Sequence, residues 1–153
     1  MDRTSCDEQR EALFDAPCWV IDFLPRQVSR EMGRRYFSAE RYYMEHPQID
    51  GIFRRFSELV LKLSLYYDCL VNRDPEDSWT EAPDPRELAL MIEACAAGDG
   101  KGRLCLLFPS ENALLTADGG DLWMSLYNPP PDMLETVRQL ALSEGLFVRR
   151  AAE

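Results

Sequence analysis

The chain has one histidine, His46, no Cys-x-x-Cys pair, and no apolar run close to the roughly 18 residues that a membrane-crossing helix needs. Each scarcity removes a class of function. A structural zinc site draws on about four clustered soft ligands, usually in close pairs, whereas the cysteines stand apart at 6, 18, 69, 95 and 105. They read as reduced thiols, most of them in apolar segments. With one histidine, set beside a proline, and no Gly-x-Ser-x-Gly elbow, a Ser-His-Asp triad has no support. The segment GDGKG (98–102) follows a helix pattern and precedes a strand pattern, the reverse of a phosphate loop, and reads as a turn. No metal and no cofactor is expected.

Basic residues are the minority charge, 17 against 27 acids, for a net charge of −10. That balance argues against nucleic acid, whose phosphates require clustered Lys and Arg. The imbalance is uneven. Residues 26–55 hold seven arginines and four acids, a local +3, which leaves −13 on the remainder. Residues 74–99 hold eight acids and one arginine, Arg86. Such polarity suits electrostatic steering of a partner.

What is present is a core. At 153 residues and 46% apolar composition, the chain has the length and content of a single domain, 1–153. Its start, MDRTSCDE, lacks a basic-then-apolar stretch, so no signal peptide and a cytoplasmic location are expected. SCDEQREALF (5–14) has a capping-box spacing, Ser5 to Glu8, and residues 1–16 read as a peripheral N-terminal helix. CWVIDFL reads as a strand ended by Pro25, and 26–34 as a loop. RRYFSAERYYMEH and PQIDGIFRRFSELVLKL read as two helices, the second with an apolar stripe at 49, 52, 53, 56, 59, 60 and 63. SLYYDCLV reads as a strand and 72–83 as an acidic loop. Asp84-Pro85-Arg86-Glu87 starts a helix. RLCLLF, then ALLTA and DLWMSLY around a Gly-rich turn, read as strands, the last two as a hairpin. NPPPDMLETVRQLALSEG is a helix with a rigid proline entry, and LFVRR a closing strand. The order predicts an α+β fold: a mixed or mostly antiparallel sheet of about five to six strands with helices packed on it.

Candidate sites are few. Asp22 lies within an apolar strand, sharing a face with Val20 and Leu24, while Trp19, Ile21 and Phe23 share the other. A carboxylate there needs a partner, and Arg26 or Arg30, just downstream, are the expected ones. Trp79 in a polar loop either folds back over the core or anchors a partner.

The stretches WVIDFLPRQV, KLSLYYD and LYNPPPDMLETVRQLALSEGLFVRR together resemble a family of small bacterial cytosolic proteins that has no assigned function. The resemblance implies a bacterial intracellular protein and transfers no activity, cofactor or site residue.

Two functions follow as expectations. The first is a non-enzymatic interaction module that binds a protein partner through a charged face. Its candidate surfaces are the acidic one around Trp79, Glu76, Asp77 and Glu81, and the basic segment Arg26–Arg41. The alternative is a small enzyme or ligand-binding protein in which Arg34 or Arg35 holds an anionic ligand beside Tyr43, with Asp22 or Glu40 as the acid. An open sheet edge at 146–149 would permit a homodimer, and no membrane partner is expected.

Overall fold

The computed structural model describes residues 3–74, 78–98, 102–119 and 121–151. Among them the elements run α1 (Arg3–Leu13), β1 (Cys18–Asp22), a 3-10 turn (Arg30–Met32), α2 (Gly33–Glu45), α3 (Pro47–Asp50), α4 (Ile52–Leu63), β2 (Leu70–Asp74), β3 (Thr80–Glu81), α5 (Pro85–Ala96), β4 (Arg103–Phe108), β5 (Ala113–Asp118), β6 (Trp123–Tyr127), α6 (Pro131–Ser143) and β7 (Phe147–Arg150). The strands form one sheet in the order β3-β2-β4-β5-β6-β1-β7, with every pair antiparallel. The fold is α+β, as expected, and β3 brings the strands to seven.

Period-two alternation sorts the sheet into two faces. Leu104, Leu106 and Phe108 of β4, Leu115 of β5, Met124 and Leu126 of β6 and Ile21 of β1 enter one core. Onto that face pack α4 through Phe56, Leu59, Val60 and Leu63, α5 through Leu88, Ile92 and Cys95, and α6 through Met133, Val137 and Ala141. Full burial of each large apolar side chain is worth about 1.5–3 kcal/mol, so this layer carries most of the stability. Asp84 caps α5, its Oδ1 accepting the Glu87 N–H at 3.0 Å, with Pro85 in the first turn. Lys62 of α4 pairs with Glu144 after α6 and ties the two helices together.

The opposite face carries a smaller cluster. Cys105, Leu107 and Leu114 of the sheet meet Cys6 and Leu13 of α1. The N-terminal helix therefore covers the β2–β4–β5 part of this face and leaves the β6–β1–β7 part to other elements.

Four local expectations need correction. The 47–63 stripe is two helices, because Gly51 adopts a left-handed conformation (φ 67°) between α3 and α4. SLYYDCLV is mostly a continuation of the helix end. The Ser64, Leu65, Tyr66 and Tyr67 N–H groups bond back to Val60, Lys62 and Leu63 carbonyls, so the strand begins only at Leu70. Ser5 lies inside α1, which starts earlier than the Ser5–Glu8 spacing indicates. The 72–83 stretch contains the end of β2 and all of β3. The proline joint holds as expected: Asn128 turns the chain at φ 56°, its N–H bonds Pro17 O at 2.8 Å, and α6 begins at Pro131.

Candidate functional site

The uncovered part of the second face floors an open cleft of about 640 Å³, within the range typical of small-molecule sites. The floor comes from three neighbouring strands: Val20 and Asp22 of β1, Trp123 of β6 and Arg149 of β7. Register explains the grouping. Val20 stands opposite Arg149 and Asp22 opposite Trp123, so alternation turns all four toward the same side. The walls come from the loop after β1 (Leu24, Gln27, Val28, Ser29, Arg30), from one side of α2 (Gly33, Tyr36, Phe37, Glu40), and from Asp121 at the β5–β6 turn.

Asp22 is the deepest charge, with its side chain 6% exposed. Its partner is Arg149, whose Nη2 donates to Asp22 Oδ2 at 3.3 Å; the Leu24 N–H approaches Oδ1 at 3.4 Å. The downstream arginines expected for this role stay outside, Arg26 exposed in the loop and Arg30 exposed on the cleft wall. The reason is topological. β7 lies directly beside β1, and a strand-borne guanidinium reaches a buried neighbour that a loop turning outward does not. Burial raises the Asp22 carboxyl above its usual value, against the opposing pull of Arg149.

Above the floor, the Tyr36 phenol donates to Glu40 Oε2 at 3.2 Å, one helical turn away. Burial pushes this phenol up, and the Glu40 and Asp22 charges add to the shift. Asp121 is pushed up to about 6, chiefly by burial and then by the charges of Asp118 and Glu40. The cleft thus gathers three carboxyl groups, two guanidinium groups and the aromatic rings of Tyr36, Phe37 and Trp123. Among the described residues no three His, Cys, Asp or Glu side chains converge as a metal site.

The other sequence candidates are placed elsewhere. Arg34 and Arg35 are exposed on α2 and do not line the cleft. Tyr43 packs edge-on to Phe23, with ring centroids 5.6 Å apart, against the main core. Trp79 folds back: its Nε1 donates to Asp7 Oδ1 at 2.7 Å, Arg10 lies over its ring at 5.4 Å, and it packs on the smaller cluster. Glu81 is exposed on β3, while Glu76 and Asp77 lie outside the described residues. The structure therefore brings Asp22 and Glu40 together and separates them from Arg34, Arg35 and Tyr43.

Sequence reading missed Arg149, Asp121 and Trp123. One signal was available for Arg149: alternation in LFVRR places it on the same face as Phe147, which sets an arginine on a strand face that holds apolar residues. Nothing local marks Asp121 or Trp123, which join the site only because β6 pairs with β1. No protein-family model, curated protein or solved structure matches this chain.

Proposed function

We propose that the protein binds a small, charged organic molecule in the cleft between α2 and the β6–β1–β7 end of the sheet. The observation that carries this reading is the Asp22–Arg149 ion pair on the floor of a concave, aromatic-walled space. Pockets that mix apolar walls with a few convergent polar groups are the usual sites of small ligands. The reading keeps the Arg- and Tyr-lined pocket expected from the sequence, but with Arg149 and Tyr36 in place of Arg34, Arg35 and Tyr43.

A thermal-shift screen of charged small molecules tests it, run on the natural protein and on Val20→Phe. Val20 is a floor residue only partly buried, so the larger ring extends into the cleft and leaves the main core untouched. Hits should raise the natural protein's Tm and lose that effect in Val20→Phe, whose own Tm stays close to the parent's. Hits equally effective on both would contradict the assignment.

A second reading, the protein-interaction module, draws support from α2. This helix buries none of its residues, and Phe37 and Tyr42 are 63% and 49% exposed beside Arg34, Arg35 and Arg41. Exposed aromatics among arginines are the composition of interface anchors. A nuclease-treated pull-down with the natural chain and a Phe37→Ser, Tyr42→Ser bait tests it. One stoichiometric partner lost with the altered bait supports an α2 interface; equal recovery on both baits removes it.

A further inference from the structure

The ligand's chemical class follows from the hydrogen-bonding capacity that the cleft leaves unused. A guanidinium carries five N–H donors. Arg149 spends one of them, from Nη2 to Asp22; Nε is shut off from solvent, and Nη1 and the second Nη2 proton have no acceptor among the described residues. Asp121, on the cleft wall, receives no hydrogen bond or ion pair from any described group. Glu40 accepts from Tyr36 through one oxygen, which leaves the other open. Among the described residues the site therefore offers unused Nη donors on Arg149 and unused acceptors on two carboxylates, within one cavity.

A ligand of single sign satisfies only half of this arrangement. An anion drawn to Arg149 meets Glu40 and Asp121 in the same space, and a cation drawn to those acids meets Arg149. We propose that the cleft takes a small zwitterion, an amino acid whose carboxylate lies on the Arg149 guanidinium and whose ammonium lies between Asp121 and Glu40. This inference rests on the ligand-binding reading above. Trp123, Val20 and Leu24 provide an apolar surface for the rest of the molecule, and the arginine fork suits a carboxylate. The raised proton affinity of Asp121 agrees, since a carboxyl crowded by Asp118 and Glu40 gains from a nearby ammonium.

Isothermal titration calorimetry tests the class directly. The α-zwitterion probes are leucine and phenylalanine, and γ-aminobutyrate is the probe with separated charges. N-acetyl-phenylalanine lacks the cation, phenylalanine amide lacks the anion, and phenylacetate and phenethylamine are single-sign controls. At least one zwitterion should bind, and its N-acetyl and amide derivatives should be weaker by about 10-fold or more, the size expected when one charge-assisted contact is lost. Preference between the α-amino acids and γ-aminobutyrate reads the spacing of the two subsites. Asp121→Asn should weaken the same zwitterion by about 10-fold without lowering Tm, which separates lost contact from lost folding. Equal or tighter binding of either blocked derivative, or of a single-sign control, overturns the zwitterion. If no zwitterion binds while the screen above still yields hits lost in Val20→Phe, the zwitterion fails and the cleft reading stands. If that screen yields no such hits either, both fall.

Discussion

Asp121 lines the cleft with the charges of Glu40 and Asp118 close by and no described donor facing it, and its carboxyl titrates at about 6 instead of near 3.8. The native state therefore holds this proton more tightly than the unfolded chain does. The contribution to stability is complete below about pH 4 and is lost as pH rises through 6. Asn in this position has no charge to desolvate, so Asp121→Asn should gain stability that grows from pH 4 and levels off above pH 6. The gain should reach about 1–2 kcal/mol after allowance for solvent screening at a partly exposed site. Urea denaturation of the two proteins at pH 4.0 and 7.5 measures it; a gain of equal size at both pH values would contradict the charge crowding. Asp22 illustrates how much a sequence discloses at this scale. An acid in the middle of CWVIDFL announces a buried carboxylate that needs a partner, and it has one. The identity of that partner was not legible, because Arg149 stands 127 residues away and reaches Asp22 only through the β1–β7 pairing.

Two helices of similar length behave in opposite ways, and the apolar stripe of 47–63 foretold only the buried one. The stripe of α4 buries Ile52, Phe53, Phe56, Leu59, Val60 and Leu63, whereas α2 mixes arginines and tyrosines around its circumference and has no fully buried residue, only half-buried ones such as Tyr36 and Tyr43. Phe56→Ala should cost about 3–5 kcal/mol, the range for a fully buried aromatic, while Phe37→Ser should stay within about 0.5 kcal/mol. Chemical denaturation of both variants measures the contrast, and a large loss from Phe37→Ser would show that α2 is more tightly docked than its exposure indicates. Element existence and type were largely readable here: the hairpin, the Asp84 cap and the proline joint all stand where local chemistry put them. Boundaries were less readable where two local preferences compete. Gly51 interrupts an apolar stripe that continues on either side of it. The 64–67 segment has strand-like residues, yet its N–H groups are already taken by the preceding helix.

Across the whole molecule, the sheet separates a thick stabilising layer from a thinner face that divides between α1 and the cleft. Its two edges are managed differently. β3 is only two residues long, and β7 has its outward Val148 carbonyl occupied by Arg138 Nη1 from α6 at 3.1 Å. Short strands and blocked carbonyls discourage edge-to-edge pairing. Arg138→Ala should therefore raise the protein's tendency to self-associate in sedimentation velocity at high concentration; unchanged sedimentation would mean that this contact does not guard the edge. The edge position of the last strand was legible, since β7 is the edge expected at 146–149; the rest of the strand order was not, because it depends on pairings between distant segments. The cleft is a product of that order, with β6, β1 and β7 each adding one charged or aromatic group to a common floor. The most direct measurement is a two-dimensional ¹H–¹⁵N NMR titration with hits from the charged-molecule screen, followed at the backbone amides of Val20, Asp22, Tyr36, Trp123 and Arg149. Binding in the cleft should concentrate the shifts at these five residues, drawn from four separate elements, and saturate them together. Shifts confined to α5 or to the α1 face, with these amides unmoved, would contradict it.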